Sequence, residues 1–355
     1  MSEASPISKS LSRAKYIGAQ GLRSLWYGGH YTYVRRSAGG FTRPGEPPFR
    51  PEHGTPDMKA MRRAYLKAFE TDLANIEAGL YPRPRDVRLS QLRKTLKRSR
   101  RFLKDARDVD DRRLHRNGSE VRDAADASVY PTYYRQNFHY QSGGWFSDDS
   151  ADIYDTQVEV LFGGAADVMR RCVLGEVARQ MKGRDQRVTS FLDLACGNGR
   201  FLNLVLDAFP RLAACGLDLS PNYTEKARSA VRDWPQADII QGQAEAMPLP
   251  DSSMDMIVSI YLFHELPPKI RKAVAGEIAR VLKPGGVFIF ADSLQFDDTP
   301  ELNALLEYFP EGFHEPYYKS YLREEFDSLF SEQGLVPDKV QPVFLTRIQS
   351  WKRPL

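Results

Sequence analysis

The stretch Phe191-Leu192-Asp193-Leu194-Ala195-Cys196-Gly197-Asn198-Gly199-Arg200-Phe201-Leu202 decides the fold class. An apolar run ends on an acid, a loop of small residues follows, and a helical period begins near Gly199. Glycine in such a loop lets the backbone approach a ligand with no Cβ in the way. The N–H groups that open the following helix are available to a carboxylate or a phosphate. In open α/β sheets, ligands sit beyond the carboxyl ends of the strands, which puts this loop at a binding crevice.

Helix-period and strand-period segments alternate on from this loop. The pattern predicts strands over 188–194, 213–217, 239–240, 256–261 and 287–291, with helices over 200–209, 222–232 and 269–282. Such alternation implies βαβ units, hence an α/β fold with a doubly wound, mostly parallel sheet. A helix over 321–333 and two short strands over 339–341 and 345–351 complete seven strands, the last expected to be antiparallel. Pro342 lies between those two strands and fits a turn better than a strand interior.

The type of ligand follows from what the loop lacks. A dinucleotide fingerprint needs a third glycine where Leu202 stands, and no Gly-Lys-Ser/Thr of a phosphate-binding loop occurs. A second anchor, Gly216-Leu217-Asp218-Leu219-Ser220, places an acid at the next strand end, where ribose hydroxyls are commonly held. Two further pieces are the run 241–255 with Gln243-Ala244-Glu245, and Leu282-Lys283-Pro284-Gly285-Gly286.

In this order and spacing the four pieces resemble the class I S-adenosylmethionine-dependent methyltransferases, of the subgroup similar to ubiquinone/menaquinone C-methyltransferases. The resemblance covers roughly residues 150–355 and implies a Rossmann-like sheet with S-adenosyl-L-methionine as cofactor. By that resemblance Asp193, Ala195, Cys196, Gly197 and Gly199 hold the methionine end. Asp218 binds the ribose and Leu219 meets the adenine, which Gln243, Ala244 and Glu245 border; Ser259 completes the set. Two positions depart from the family pattern. Ala195 stands where glycine is usual, which is mild provided its φ is negative. Gln243 stands where aspartate is usual and keeps an acceptor oxygen without the charge.

Methyl transfer is an in-line displacement that rests largely on positioning, with a base needed only where the acceptor must lose a proton. Candidates for that role are His264 and Glu265, after the fourth strand, and His314. Each also has a plain structural reading, as a loop-capping histidine or an ion-pair partner. Tyr134, His139, Trp145, Tyr261, His314, Tyr317 and Tyr318 are the candidate acceptor contacts. Their rings suit a flat or apolar small molecule and can stabilise a sulfonium. Six histidines without ligand spacing predict no metal site, and three cysteines predict neither a disulfide framework nor a zinc cluster.

The front of the chain differs in character. Residues 1–150 carry 28 Lys and Arg against 17 Asp and Glu, a net +11, whereas the remainder is net −7. Residues 4–45 contain no acid. The expected organisation is a flexible basic segment and linker over 1–57, a mainly helical region over 58–150 and the catalytic domain over 151–355. A basic amphipathic helix is predicted over 88–104, with Leu89, Leu92, Leu96 and Leu103 on one face and Arg88, Arg93, Lys94, Lys97, Arg98, Arg100, Arg101 and Lys104 around it.

These features yield several expectations. The acceptor is a small molecule; the alternatives are a nucleic-acid methyltransferase working through the basic helix and a cofactor-binding partner without transferase activity. Too few aromatics on that helix and no base-methylation signature disfavour nucleic acid. A cytoplasmic protein is expected, with contact to a membrane surface through the basic front segment. An acid-poor, Arg- and Ser-containing start makes organelle targeting the alternative.

Overall fold

The structure is a computed structural model that describes residues 6–38, 45–84, 92–115, 117–118, 120–124 and 129–355. Of the residues named above, Arg88 and Leu89 lie outside these, as does the side chain of Leu92.

The strands are β1 (Ser190–Leu194), β2 (Ala213–Asp218), β3 (Ala237–Gln241), β4 (Met254–Ile260), β5 (Leu282–Ser293), β6 (Val336–Val343) and β7 (Thr346–Lys352). They form one sheet in the order β3-β2-β1-β4-β5-β7-β6. The first five run parallel, while β7 pairs antiparallel with both β5 and β6. This is the expected α/β architecture with an antiparallel end.

The helices are α1 (Pro6–Ser37), α2 (Met58–Glu77), α3 (Leu92–His115), a single turn α4 (Val121–Ala124), α5 (Asp148–Leu161), α6 (Ala166–Gln180), α7 (Arg200–Ala208), α8 (Pro221–Val231), α9 (Pro268–Val281), α10 (Asn303–Gly312), α11 (Tyr318–Tyr321) and α12 (Phe326–Ser331). The central strands are apolar throughout because both faces are covered, as a parallel sheet requires. Alternate residues serve opposite faces. Phe191, Val258 and Ile289 pack with α6 and α7, while Leu192, Ile257 and Phe288 pack with α9 and α12.

Four expectations change. The segment expected to be flexible is helical from Pro6 to Ser37. It is held by Tyr16, Gln20 and Arg23, which are buried on one face. Residues 58–150 do not form a core of their own. Ala68 of α2 and Tyr81 sit in the same cluster as α6 and the sheet, and Phe138 and Trp145 pack with Ala151 and Tyr223 across the expected boundary.

The helix expected over 321–333 is broken between α11 and α12. The Gln295 side chain donates to the carbonyls of Tyr321 at 2.7 Å and Glu324 at 2.8 Å, in place of a continuing helix ladder. Pro342 lies inside β6 rather than in the turn. β6 is the edge strand, so a missing N–H there leaves no ladder bond unmade. The turn is instead made around Phe344 at φ 54°.

Candidate active site

The carboxyl ends of β1, β2, β3 and β4 open onto one cavity. Its floor is Ala195, Gly197, Leu217, Asp218, Leu219, Gly242 and Ala244. Its opposite wall is aromatic and comes largely from the segment before the sheet: Tyr133, Tyr134, Phe138, Trp145 and Tyr154. Ser220, Tyr223, Ile260, Tyr261, Leu262, Glu265 and Leu266 complete the lining.

The loop after β1 is shaped by its backbone. Gly197 has φ 55° and Gly199 φ 77°, and a Cβ on Gly199 would meet the Cα of Ala227 at 3.0 Å. Ala195 has φ 59°. The condition of a negative φ is therefore not met there. An L-residue in the left-handed region costs about 1–2 kcal/mol, and such strain persists where the surrounding structure over-determines it.

Two carboxylates lie at these strand ends, Asp218 in the cavity lining and Asp193 outside it. Asp218 accepts from Gly197 N at 2.9 Å through Oδ2 and from Ser220 N at 2.9 Å through Oδ1. Each oxygen keeps a second lone pair for an incoming hydroxyl. Burial pushes the Asp218 carboxyl up, against the lowering by the N–H groups of Ser220, Gly197 and Leu219. Asp193 is buried at the end of β1, and its Oδ2 has no hydrogen-bond partner. Burial, reinforced by the charge of Asp218, pushes its carboxyl up to about 8. Ser259, at the end of β4, is likewise buried with its Oγ unpartnered.

A buried acceptor with nothing to bind, a side-chain-free loop and a carboxylate with spare lone pairs fit the amino-acid and ribose parts of S-adenosylmethionine. Asp193, Gly197 and Asp218 are the residues that would hold it. Cys196 is buried behind the loop, and its thiol is pushed well up by burial. Ala244 lines the cavity, while Gln243 does not and bridges to Ala246 instead. Glu245 accepts from the Tyr133 hydroxyl at 2.7 and 2.8 Å, which ties the aromatic segment to the loop after β3. Ser220 adds a second tie through its Oγ, which donates to Trp145 O at 2.5 Å.

The remaining candidates divide. Tyr134, Trp145, Tyr261 and Glu265 line the cavity. His264 is buried beside it, with Nδ1 2.6 Å from Asp292 Oδ1. His139 reaches the same place from the aromatic segment, its Nε2 3.9 Å from Glu265 Oε1.

His314, Tyr317 and Tyr318 are not in the lining. His314 Nε2 contacts Gln136 Oε1 at 2.8 Å and its ring packs on Tyr140, so it fastens the aromatic segment from behind. Tyr318 is buried with its hydroxyl 2.7 Å from Ser293 Oγ. Sequence reasoning passed over Tyr133, Phe138 and Tyr154 individually, although their dense aromatic run was the available signal. Leu262 and Leu266 flank His264 and Glu265 in the loop after the fourth strand, which was their signal, and Tyr223 carried none.

Residues 191–286 match the family described as a methyltransferase domain. An uncharacterized methyltransferase of Synechocystis is 36% identical over 101 residues, covering 28% of this chain and 45% of that protein. A malonyl-[acyl-carrier protein] O-methyltransferase of Methylococcus capsulatus is 35% identical over 100 residues, covering 28% of this chain and 36% of that one. A demethylmenaquinone methyltransferase of Bacillus licheniformis is 28% identical over 144 residues, covering 40% and 56%. The chain thus spans between 36% and 56% of the length of these relatives. With the sheet order and the loop after β1, these matches show that the chain carries a class I S-adenosylmethionine-dependent methyltransferase domain.

Proposed function

We propose that the chain transfers a methyl group from S-adenosylmethionine to a small, flat or apolar acceptor enclosed by its own aromatic segment. The observation that carries this reading is the shared cavity: the strand-end loops form one side and Tyr134, Phe138, Trp145 and Tyr154 the other. The bound cofactor supplies an electrophilic methyl on a sulfonium. Asp193 and Asp218 orient its two ends, and the rings exclude water and present faces to cation and acceptor alike. The names of two relatives point to a quinone-type ring and an acyl group as acceptors; the ring is the better match to an aromatic wall. We place the enzyme at an anionic membrane surface, where such acceptors dissolve.

Calorimetry with S-adenosylhomocysteine tests the cofactor half of the reading. Losing a hydrogen bond to a charged group costs about 1.5–3 kcal/mol, so Asp218→Ala should weaken binding by roughly 10- to 100-fold. Turnover on a lipid extract that survives nuclease treatment supports the acceptor class. Turnover abolished by nuclease would move the acceptor to nucleic acid, and binding without turnover on any acceptor would leave a cofactor-binding partner.

A further inference from the structure

Two histidines that lie far apart in sequence meet at the acceptor end of the cavity. His264 Nδ1 is 2.6 Å from Asp292 Oδ1, and His139 Nδ1 is 3.0 Å from Glu315 Oε1. Asp292 is 0% and Glu315 4% exposed. The hydrogen bond of His264 Nδ1–H to Asp292 leaves a lone pair on its Nε2, while His139 Nδ1 lies at ion-pair distance from Glu315, whose buried oxygens have no hydrogen-bond partner. Both Nε2 atoms face the same oxygen: His139 Nε2 is 3.9 Å and His264 Nε2 is 4.0 Å from Glu265 Oε1. All three donor atoms lie within 4.8 Å of one another.

We propose that His139, His264 and Glu265 hold a divalent transition-metal cation, zinc or ferrous in class, at the acceptor end of the cavity. Carboxylate-backed imidazoles turned toward a common point are the arrangement that orients metal-ligating histidines. Two imidazoles and a carboxylate with open positions suit these cations. Donors about 2.0–2.2 Å from a metal lie about 3–3.5 Å apart, so the two contacts to Glu265 need to close by about 0.5–1 Å and the two imidazoles by up to somewhat more than 1 Å.

Three carboxylates crowd this place, while the neighbouring Arg271 is committed to Phe263 O, Tyr317 O and Glu324. The backbone has also been bent to deliver a ligand: His139 sits at φ 55° and so does Tyr140, a strain that marks functional positions. Since Glu265 lines the cavity, the open coordination positions face it, and there they would take an oxygen of the acceptor. That last role rests on the proposed transferase reading; the metal site does not.

The test uses the full chain, stripped with a chelator and titrated with Zn²⁺ and with Co²⁺. We expect one equivalent per chain, ligand-field bands in the Co²⁺ form, and X-ray absorption showing two imidazole nitrogens and an oxygen at about 2.0–2.2 Å. His139→Gln and Glu265→Gln should each weaken Zn²⁺ binding by more than about 10-fold, as should loss of the supporting Asp292 in Asp292→Asn, by about 10–100-fold. His115→Ala, at an exposed histidine elsewhere, should not. Stripped protein that binds S-adenosylhomocysteine but no Zn²⁺ overturns the site, as does Zn²⁺ affinity unchanged in His139→Gln and Glu265→Gln. Protein that binds Zn²⁺ with these signatures but no S-adenosylhomocysteine supports the site and sinks the transferase reading instead.

Discussion

Asp193 is the residue on which cofactor binding should leave a proton signature. Burial and the nearby Asp218 push its carboxyl up to about 8, so at neutral pH the unliganded site holds a proton. The unfolded chain ionises near 3.9, so this raised value lowers stability progressively as pH climbs from about 3.9 to about 8. An ammonium arriving beside the unpartnered Oδ2 favours the ionised form and expels the proton. Binding of S-adenosylhomocysteine should therefore release close to one proton at pH 7 and tighten as pH rises toward 8. Calorimetry in buffers of different ionisation enthalpy reads this directly, and Asp193→Asn should abolish the buffer dependence. Equal heats in all buffers for the unaltered chain would remove Asp193 from the amino-acid end of the site. The sequence singled this residue out, since an acid at a strand end before a small-residue loop is a local pattern. It did not show that Ala195 would stand at φ 59°, because backbone strain is set by the loop as a whole.

At the scale of elements, α6 is tied to the front helices by buried charge rather than by apolar packing alone. Arg171 of α6 donates to Asp72 of α2 at 2.6 Å, and Tyr16 of α1 and Tyr81 donate to the same carboxylate at 2.6 and 2.8 Å. Arg23 of α1 pairs with Glu159 at 2.7 Å and with Asp167, which Arg200 at the start of α7 also contacts. Burial alone would raise the Asp167 carboxyl; the guanidinium groups of Arg200, Arg23 and Arg170 outweigh it and hold it well below the usual range. Removing one partner from a buried pair strands the other, at a cost of about 3–5 kcal/mol. Asp72→Ala should show a loss of that size in urea denaturation, and Asp72→Ala with Arg171→Met should recover part of it. A loss below about 1 kcal/mol would mean that water replaces the carboxylate. These ties explain what periodicity missed. α1 buries Tyr16, Gln20 and Arg23 and exposes Leu11, Ile17, Leu22 and Leu25, the reverse of an apolar-face search. The sheet strands were legible because their apolar runs end at turn residues. The break between α11 and α12 was not, since it depends on Gln295 arriving from another segment.

For the molecule as a whole, the charge split of +11 and −7 does not separate two independent bodies. The front segment completes the core, walls the cavity and reaches Glu245 through Tyr133. The cofactor candidates, by contrast, lie in short motifs at the strand ends, and of these Ala195, Gly197, Asp218, Leu219 and Ala244 line the cavity. Of the wall opposite, the sequence singled out Tyr134, Trp145 and Tyr261, which line the cavity, and missed Tyr223, which only the fold brings there. Part of the basic character is spent internally: Arg101 pairs with Asp152 at 3.0 Å, and Arg112 donates to Tyr140 O at 2.9 Å. Arg93, Lys94, Lys97, Arg100 and Lys104 of α3 remain exposed. Leu22 and Leu25 are 61% and 76% exposed on α1.

Among the described residues no helix is long and apolar enough to cross a membrane. Basic residues near an anionic surface contribute about 1 kcal/mol each, and exposed leucines add apolar insertion. The chain should co-sediment with vesicles containing phosphatidylserine and not with neutral ones, and should be released as salt shortens the screening length. Leu22→Ser with Leu25→Ser should weaken the association at unchanged charge, and Lys94→Glu with Lys97→Glu should weaken it more at low salt than at high. Equal association with neutral vesicles, or no response to either pair of substitutions, would leave the exposed leucines and the basic face of α3 without a lipid partner.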